Sequence, residues 1–259
     1  MTRARDLDLI LELLKREFSG RYRGSFGGLA WSFAQPIFLL AVYTVAFGVI
    51  LKTRWGLSGE TADYALLLFA GLIVFNAVAE CLAKAPMLVA GSPNFVKKVV
   101  FPLEILAWVM ALTTLAHALV GVAVWFLGYF LFRGVPPWTA VFFPLVLACL
   151  FPLLLGVGWL LSALGVFARD IGQLTVMLSH ALLFLTPIFY SLDAAPEALR
   201  GFLLANPLTF IVEQLRQVLY FGQVPSVRGL TVYLACATGF AWVSWRLFRR
   251  LRPRFADLV

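Results

Sequence analysis

Few residues in this chain of 259 are of the types that carry out acid–base, nucleophilic or metal chemistry. The two histidines, His117 and His180, both lie in apolar stretches, without carboxylates or cysteines at metal-ligand spacing beside them in the chain. Ser179 directly precedes His180, but adjacent residues on a helix point about 100° apart and cannot form a nucleophile–base hydrogen bond. A GxxxxGK[ST] phosphate-binding motif is also missing. The sequence therefore predicts no catalytic residue, no metal site and no nucleotide site.

Arginines at the ends of apolar stretches offer a different chemistry, because guanidinium groups bind phosphate oxygens in pairs. Arg21 and Arg23 precede the first long apolar run, and Arg169 separates two later ones. One interpretation is that these three side chains meet a pyrophosphate at the cytoplasmic mouth of a membrane path. The alternative is that charges at span ends simply neutralise one another. The charges concerned are Glu80, Glu104, Arg169 and Asp170.

The composition excludes a soluble protein. Hydrophobic residues make up 62% of the chain and charged residues only 13%, with a mean hydropathy of +0.91. A soluble domain carries about 25% charged residues. The net charge of +8 fits anionic lipid headgroups better than nucleic acid, since no soluble basic domain is present. Cys81, Cys149 and Cys236 lie in apolar stretches and are predicted to pack as small side chains rather than form disulfides.

Six stretches have the apolar character of membrane-spanning helices, which need about 20 residues each. They are residues 24–51, 64–83, 105–132, 134–168, 171–192 and 229–248. Prolines early in the fourth stretch predict a bent entry followed by one helix. The fold class predicted is an all-α integral membrane protein with six transmembrane helices. We expect one domain over residues 1–259, with spans one to five in 24–192 and the sixth in 229–248.

Lysine and arginine are distributed unevenly between the two sides of these spans. Fifteen fall on the side of both termini and six on the other. Because cytoplasmic segments carry the excess of positive charge, both termini should be cytoplasmic. An even number of spans requires the same arrangement. No apolar run with a cleavage site precedes the first span, so we expect no signal peptide and a multi-pass protein of the inner (plasma) membrane.

Two segments outside the spans are predicted to be amphipathic. Residues 1–23 contain a helix over residues 6–18, which we expect to lie flat in the cytoplasmic headgroup layer; packing on a partner is the alternative. Residues 193–228 contain two amphipathic helical stretches, broken at Asn206-Pro207, which we expect to be short re-entrant helices on the external side. Residues 249–259 form a basic cytoplasmic tail.

Several short motifs occur along the chain, and their order and spacing can be compared with those of known proteins. They are Arg21-Tyr22-Arg23-Gly24-Ser25 followed by Gly28, Trp31 and Pro36; Ser92-Pro93-Asn94, Lys97-Lys98 and Phe101-Pro102-Leu103-Glu104; Arg169-Asp170-Ile171; Thr186-Pro187-Ile188-Phe189-Tyr190; Asn206-Pro207; and Arg216. In order and spacing this set resembles the ABC-2-type exporter permeases, although Gly27 stands where a larger aliphatic residue is expected. The branch most similar exports lipid-linked polysaccharides: O-antigen, teichoic acid and capsule.

The resemblance implies a homodimer of six-span subunits with two copies of a separate ABC ATPase docked on its cytoplasmic loops. That ATPase would bind ATP and Mg²⁺, and this chain would hold no cofactor. The substrate would be a glycan on undecaprenyl pyrophosphate. The element that touches the ATPase would include Ser92, Asn94, Phe95, Lys97 and Lys98. An external gate would include Pro187, Tyr190, Asn206, Pro207 and Arg216.

Two alternatives stay open. A same-fold exporter of a drug or lipid would take smaller amphipathic substrates and need no carrier. A membrane-embedded glycan-modifying enzyme, a more remote alternative, would need a cluster of catalytic groups near one interface. The external acids form no recognisable motif; they are Glu60, Asp63, Asp193, Glu197 and Glu213. A secondary transporter is disfavoured because acids in the middle of spans are missing. We therefore expect a transport subunit and not an enzyme.

Overall fold

A computed structural model describes residues 3–22, 30–46, 61–96, 101–168 and 170–258, and within these ranges it contains helices and no β-strand. The helices are α1 (Arg3–Tyr22), α2 (Ala30–Tyr43), α3 (Thr61–Lys84), α4 (Met87–Ala90), α5 (Pro93–Val96), α6 (Ile105–Arg133), α7 (Phe143–Phe167), α8 (Ile171–Leu185), α9 (Glu197–Ala205), α10 (Pro207–Leu219), α11 (Val227–Leu251) and α12 (Phe255–Leu258). The predicted all-α class is confirmed for this part of the chain.

Three helices of the described part are long and apolar enough to cross a membrane. They cover Ala62–Lys84, Ile105–Arg133 and Trp138–Phe167, and correspond to the predicted second, third and fourth spans. Pro36–Ala46 and Ile171–Leu185 are shorter apolar helices. α11 is 25 residues long and covers the predicted sixth span. The predicted first span lies partly outside the described residues, so the count of six stays a prediction.

The apolar run predicted as the fifth span, residues 171–192, is helical only as far as Leu185. Thr186 is extended, with φ −103° and ψ 136°. Proline lacks an N–H and disfavours helical backbone in the residue before it, so Pro187 ends the helix at this point. α8 is 15 residues long, shorter than the roughly 20 needed to cross a bilayer. An irregular segment, residues 186–190, follows it and is central to the site.

α3 is the central helix of the fold. Every side chain from Asp63 to Phe75 is buried, as expected for a helix that is apolar on all sides. α6, α7, α8 and α10 all pack against it. The chain therefore builds its core around the predicted second span, and the neighbouring helices expose their other faces.

α7 and α11 pack along each other through a stripe of α11 side chains spaced three or four residues apart. The stripe consists of Leu230, Tyr233, Ala237, Ala241, Ser244 and Phe248. A Cβ at Gly156 of α7 would lie 2.5 Å from the Phe240 ring and 3.1 Å from the Ala241 Cα, so a side chain here would separate the two helices. At the end of α7, a Cβ at Gly165 would collide with the Pro86 carbonyl oxygen.

Two ends of the helix bundle are named after short helices that lie there. The α4 end holds the end of α3, α4, α5, the start of α6 and the end of α11. The α10 end holds the start of α3, the end of α6, α9 and α10. The predicted amphipathic helix over residues 6–18 lies within the longer α1, which packs against α6. The predicted break between two helices at Asn206-Pro207 is present between α9 and α10.

Candidate functional site

A groove of about 610 Å³ opens at the α4 end, between α1, α3, α4, α5 and α6. Its apolar lining is formed mainly by Leu13, Met87, Leu88, Phe95, Leu106 and Val109. Arg16, Glu17, Lys84 and Ser92 supply the polar part of the lining. A mostly apolar groove with charges at its margin is the kind of surface that receives a helix of a partner protein.

Two of the predicted ATPase-coupling residues line this groove. The carbonyl of Ser92 accepts hydrogen bonds from the N–H groups of Phe95 (3.0 Å) and Val96 (3.3 Å), and this starts the single turn of α5. Phe95 stacks on the Phe101 ring with centroids 4.4 Å apart. Asn94, also in α5, is exposed beside the groove. The other two predicted coupling residues, Lys97 and Lys98, lie outside the described residues.

A chain of ion pairs leads from the groove into the helices. Lys84 Nζ lies 3.2 Å from Glu17 Oε1 of α1 and 2.9 Å from Glu80 Oε1 of α3. The second oxygen of Glu80 lies 2.9 Å from Nδ1 of His117 on α6. Glu80 and His117 are both mostly buried. These polar side chains therefore join α1, α3 and α6, and two of them, Glu17 and Lys84, line the groove.

Sequence reasoning missed the pairing of His117 with Glu80, because it searched for partners beside the histidine in the chain. A usable signal was present. Glu80 is the one acid of the predicted second span, and a lone ionisable group in a span needs a partner from another helix. The pair supplies an acid and a base. Within the described ranges, however, no three metal-ligating side chains of the His, Cys, Asp and Glu types cluster together.

Glu104 at the start of α6 is neutralised by the chain's tail. Arg252 Nη1 lies 3.0 Å and 3.2 Å from the two Glu104 oxygens, and Arg252 Nη2 donates to the Phe101 carbonyl at 3.1 Å. Asp170 is exposed. Two of the charges expected to neutralise one another at span ends therefore have other partners. Glu104 pairs with Arg252, and Glu80 pairs with Lys84 and His117.

The three predicted pyrophosphate-binding arginines are not placed by the structure. The backbone of Arg21 belongs to the last turn of α1, while its side chain lies outside the described atoms. Arg23 and Arg169 are outside the described residues. Their meeting with a pyrophosphate stays a prediction.

At the α10 end, Arg216 is buried, with 1% of its side chain exposed. Its Nε donates to the Leu67 carbonyl (3.0 Å), Nη1 to the Pro187 carbonyl (2.6 Å) and Nη2 to the Ile188 carbonyl (2.9 Å). Glu213, one turn earlier on α10, balances the charge at 2.7 Å. Irregular backbone leaves carbonyls without helical partners, and the planar guanidinium can satisfy several of them together.

Space for this guanidinium comes from α3. A Cβ at Gly71 would lie 3.0 Å from Nη2 of Arg216, closer than nearly all natural contacts. Burial lowers the pKa of Arg216, and the carboxylate of Glu213 acts in the opposite direction. The arginine keeps its proton because its ordinary pKa is far above neutrality.

The other predicted gate residues lie around the same irregular segment. Asn206 donates from Nδ2 to the Leu185 carbonyl (3.2 Å) and Thr186 Oγ1 (3.0 Å), while its Oδ1 accepts from the Leu208 N–H (3.0 Å) and caps α10. Pro207 occupies the first helical position, where its missing N–H is not needed. Tyr190 donates to the Phe184 carbonyl at 2.9 Å. The segment 186–190 is thus bound on several sides.

A second ion pair at this end was not predicted. Asp63 at the start of α3 is buried and accepts two hydrogen bonds from Arg133 at the end of α6, of which Nε–Oδ1 is 2.7 Å long. Arg133 also lies 3.4 Å from the hydroxyl of Tyr220. Burial, followed by the hydrogen bond to Asp63, raises the pKa of Tyr220 above its ordinary value. Asp63 and Arg133 stand at matching ends of neighbouring antiparallel helices, which was the available signal.

The groove at the α4 end and the residues around the segment 186–190 both lie within the part of the chain that matches known proteins. The family described as ABC-2 type transporter matches residues 8–220. The O-antigen export system permease protein RfbA of Myxococcus xanthus is 24% identical over 253 residues, covering 97% of this chain and 95% of the relative. Two proteins of the same name from Klebsiella pneumoniae are each 22% identical, with the same coverage. The chain belongs to the ABC-2 type transporter family of membrane permeases.

Proposed function

We propose that this chain is the membrane-spanning subunit of an ATP-driven exporter of undecaprenyl-pyrophosphate-linked polysaccharide of the O-antigen type. The observation that carries the proposal is the groove at the α4 end, lined by Ser92 and Phe95, in a chain without a phosphate-binding loop. A separate ABC ATPase, in two copies, binds here and supplies the energy. The names of the relatives support a glycan as the substrate.

The series of polar contacts from Glu17 to His117 connects the groove with the membrane spans. Glu17 and Lys84 belong to the lining, and Lys84 pairs onward with Glu80, which holds His117. A displacement of α1 by the partner therefore acts on α3 through Lys84, and on α6 through Glu80 and His117, by polar contacts as well as through packing. In this proposal Asn94, Lys97 and Lys98 extend the docking surface beyond the groove.

The transport path lies between two copies of the chain in this proposal. α3, the central helix, is packed on all sides, so a wide path through one copy would require its displacement. Six spans with both termini in the cytoplasm place the α4 end at the cytoplasmic face of the inner membrane. Arg21, Arg23 and Arg169 then meet the pyrophosphate, and the residues around the segment 186–190 form the external gate.

Deletion of the gene tests the substrate. We expect the long surface glycan to disappear from a gel of envelope polysaccharides, while lipid-linked polymer accumulates inside the cell. An unchanged surface glycan together with greater sensitivity to amphipathic compounds would instead favour the drug or lipid exporter. A glycan of unchanged amount and altered composition would favour a glycan-modifying enzyme.

Reversal of two charges tests the docking surface. Replacing Lys97 and Lys98 together by glutamate should weaken co-purification of the ATPase with the tagged permease. The same reversal at Arg200 and Arg228, on the α10 side of the fold, is the matched control and should leave co-purification intact. Unchanged ATPase recovery with the Lys97→Glu, Lys98→Glu variant would contradict this part of the proposal.

A further inference from the structure

The last turns of α11 carry two arginines, each of which lies over a tryptophan. Cζ of Arg246 is 4.7 Å from the centre of the Trp242 ring, and Cζ of Arg249 is 4.9 Å from the Trp245 ring. These distances are within the range of cation–π attraction. Both pairs have i, i+4 spacing, so the four side chains share about a third of the helix circumference.

Most of this face of α11 points away from the rest of the fold, while Trp245 at its edge is half-buried and packs against the core. The stripe that packs on α7 lies on the other side of the helix, and Trp242 is 54% exposed. Arg246 and Arg249 are both exposed, and within the described ranges neither pairs with a carboxylate. Arg252, one turn later, differs because it is held by Glu104. The two tryptophan-bound guanidiniums therefore keep their outward N–H groups available.

We propose that this face binds the headgroup phosphate of an anionic phospholipid, in the leaflet where α11 ends. Tryptophan rings concentrate at headgroup depth, and stacking on them holds the guanidinium planes in place. Arginine then binds phosphate oxygens through two N–H groups, in a surface potential that already favours positive charge. Towards the middle of α11 the same face continues with exposed small residues, Ala235, Thr238 and Gly239, which leave room for an acyl chain.

A pair of double variants separates a built site from general attraction between charges. Arg246→Gln with Arg249→Gln removes the two arginines that lie over tryptophans. Arg250→Gln with Arg254→Gln removes two exposed arginines that lie over no aromatic ring in the described part of the chain. The full chain is purified in detergent and titrated with phosphatidylglycerol or phosphatidylcholine, with the thermal unfolding midpoint as the readout.

We expect phosphatidylglycerol to raise the midpoint of the unaltered chain at lower concentration than phosphatidylcholine. The half-effective concentration should rise on the order of tenfold for Arg246→Gln with Arg249→Gln, and by about threefold or less for the control. Equal rises in the two variants would show diffuse attraction only and overturn the proposal. Equal action of the two lipids on the unaltered chain would overturn it too.

Two further readouts keep the test decisive. If the glutamine variant does not fold, Arg246→Lys with Arg249→Lys retains both charges and loses the planar stacking, and it should still bind phosphatidylglycerol several-fold more weakly. If a second copy of the chain covers this face, the glutamine variant will change the mass of the purified assembly and not its lipid response, which would contradict the proposal. Recovery of the ATPase should be unaffected in either variant, so failure here leaves the proposed function untouched.

Discussion

The two ends of the molecule hold their charges in different ways. At the α4 end, Glu17 and Lys84 are each about one-third exposed and pair side chain to side chain. At the α10 end, Arg216 is almost fully buried and gives three of its hydrogen bonds to backbone carbonyls. Exposed ion pairs contribute little and break easily, whereas buried donors to backbone groups are expensive to remove. The α4 end is therefore suited to yield to a partner, and the α10 end to keep its shape.

This difference has a mechanical consequence. The segment 186–190 is tied to α10 through Arg216 and Asn206, and to α3 through the hydroxyl of Tyr64, which donates to the Phe189 carbonyl at 3.0 Å. We expect this segment and α10 to move together. At the α4 end, α1 can shift against α3 by breaking one ion pair, Glu17–Lys84, whose members are about one-third exposed. The substitutions below test the contrast, from the largest expected effect to the smallest.

Replacing Arg216 by glutamine should have the largest effect. It leaves buried carbonyls without donors and Glu213 without its partner, which should cost about 3–5 kcal/mol of unfolding free energy. The yield of folded protein and its thermal midpoint in detergent measure this. The matched control is Arg200→Gln, because Arg200 also donates to nearby carbonyls but is only half-buried. Similar losses in both variants would contradict the contrast between buried and exposed donors.

Replacing Arg133 by glutamine should be nearly as harmful, at about 3 kcal/mol, because it leaves the carboxylate of Asp63 buried without its cation. Adding Asp63→Asn to the same chain should restore part of the loss, since the uncompensated charge is then gone. Thermal midpoints of the two single variants and the double variant form a mutant cycle. A double variant less stable than Arg133→Gln alone would refute this explanation.

Replacing Gly165 by alanine tests whether the α4 end depends on packing rather than charge. The added Cβ would meet the Pro86 carbonyl oxygen, which belongs to the backbone and cannot turn aside. We expect a loss of about 1–3 kcal/mol and a displaced α4. Gly201→Ala in α9 is the control, because no neighbouring atom lies within 4 Å of its Cβ position, and alanine there should be neutral or slightly stabilising. Equal midpoints for the two variants would rule out the close approach.

Replacing Lys84 by methionine should have the smallest effect. It removes the one-third-exposed pair with Glu17 and one of the two partners of the mostly buried Glu80, which keeps His117. We expect a loss of about 1 kcal/mol, and salt should reduce the difference from the unaltered chain. Thermal midpoints at low and high salt check this, with Arg216→Gln as the reference that salt should not rescue. A large, salt-independent loss of thermal stability in Lys84→Met would contradict the contrast between the charges of the two ends.

Features encoded locally were predictable from the sequence. The two helices on either side of Asn206 follow from amphipathic spacing and from Pro207. The spans α6 and α7 follow from long uncharged runs, and α3 follows from a long apolar run with one acid, Glu80. The end of α8 at Leu185 was missed because the run was delimited by charge alone, although Pro187 marks the break. Hydropathy locates a helix in the chain, but it does not show where a single residue such as Pro187 ends that helix.

Contacts between helices were not predictable to the same extent. The Glu80–His117 and Asp63–Arg133 pairs depend on how neighbouring helices are rotated about their axes, which the order of residues does not specify. Arg216 was singled out through a family motif, but its partners are carbonyls that become available only once the segment 186–190 leaves the helix. The partners of Arg216 could therefore not be predicted without the fold.

The most direct test of the central claim asks whether a separate ATPase binds the groove at the α4 end. Met87 lines the groove and is 59% exposed, so Met87→Arg introduces a charge there without disturbing the core. Val135, beyond the end of α6, is 84% exposed, and Val135→Arg is the matched control. We predict that Met87→Arg lowers recovery of the ATPase with the tagged permease on the order of tenfold, since a charge would be buried in an apolar contact, while Val135→Arg does not. Full recovery with a folded Met87→Arg variant would contradict the account.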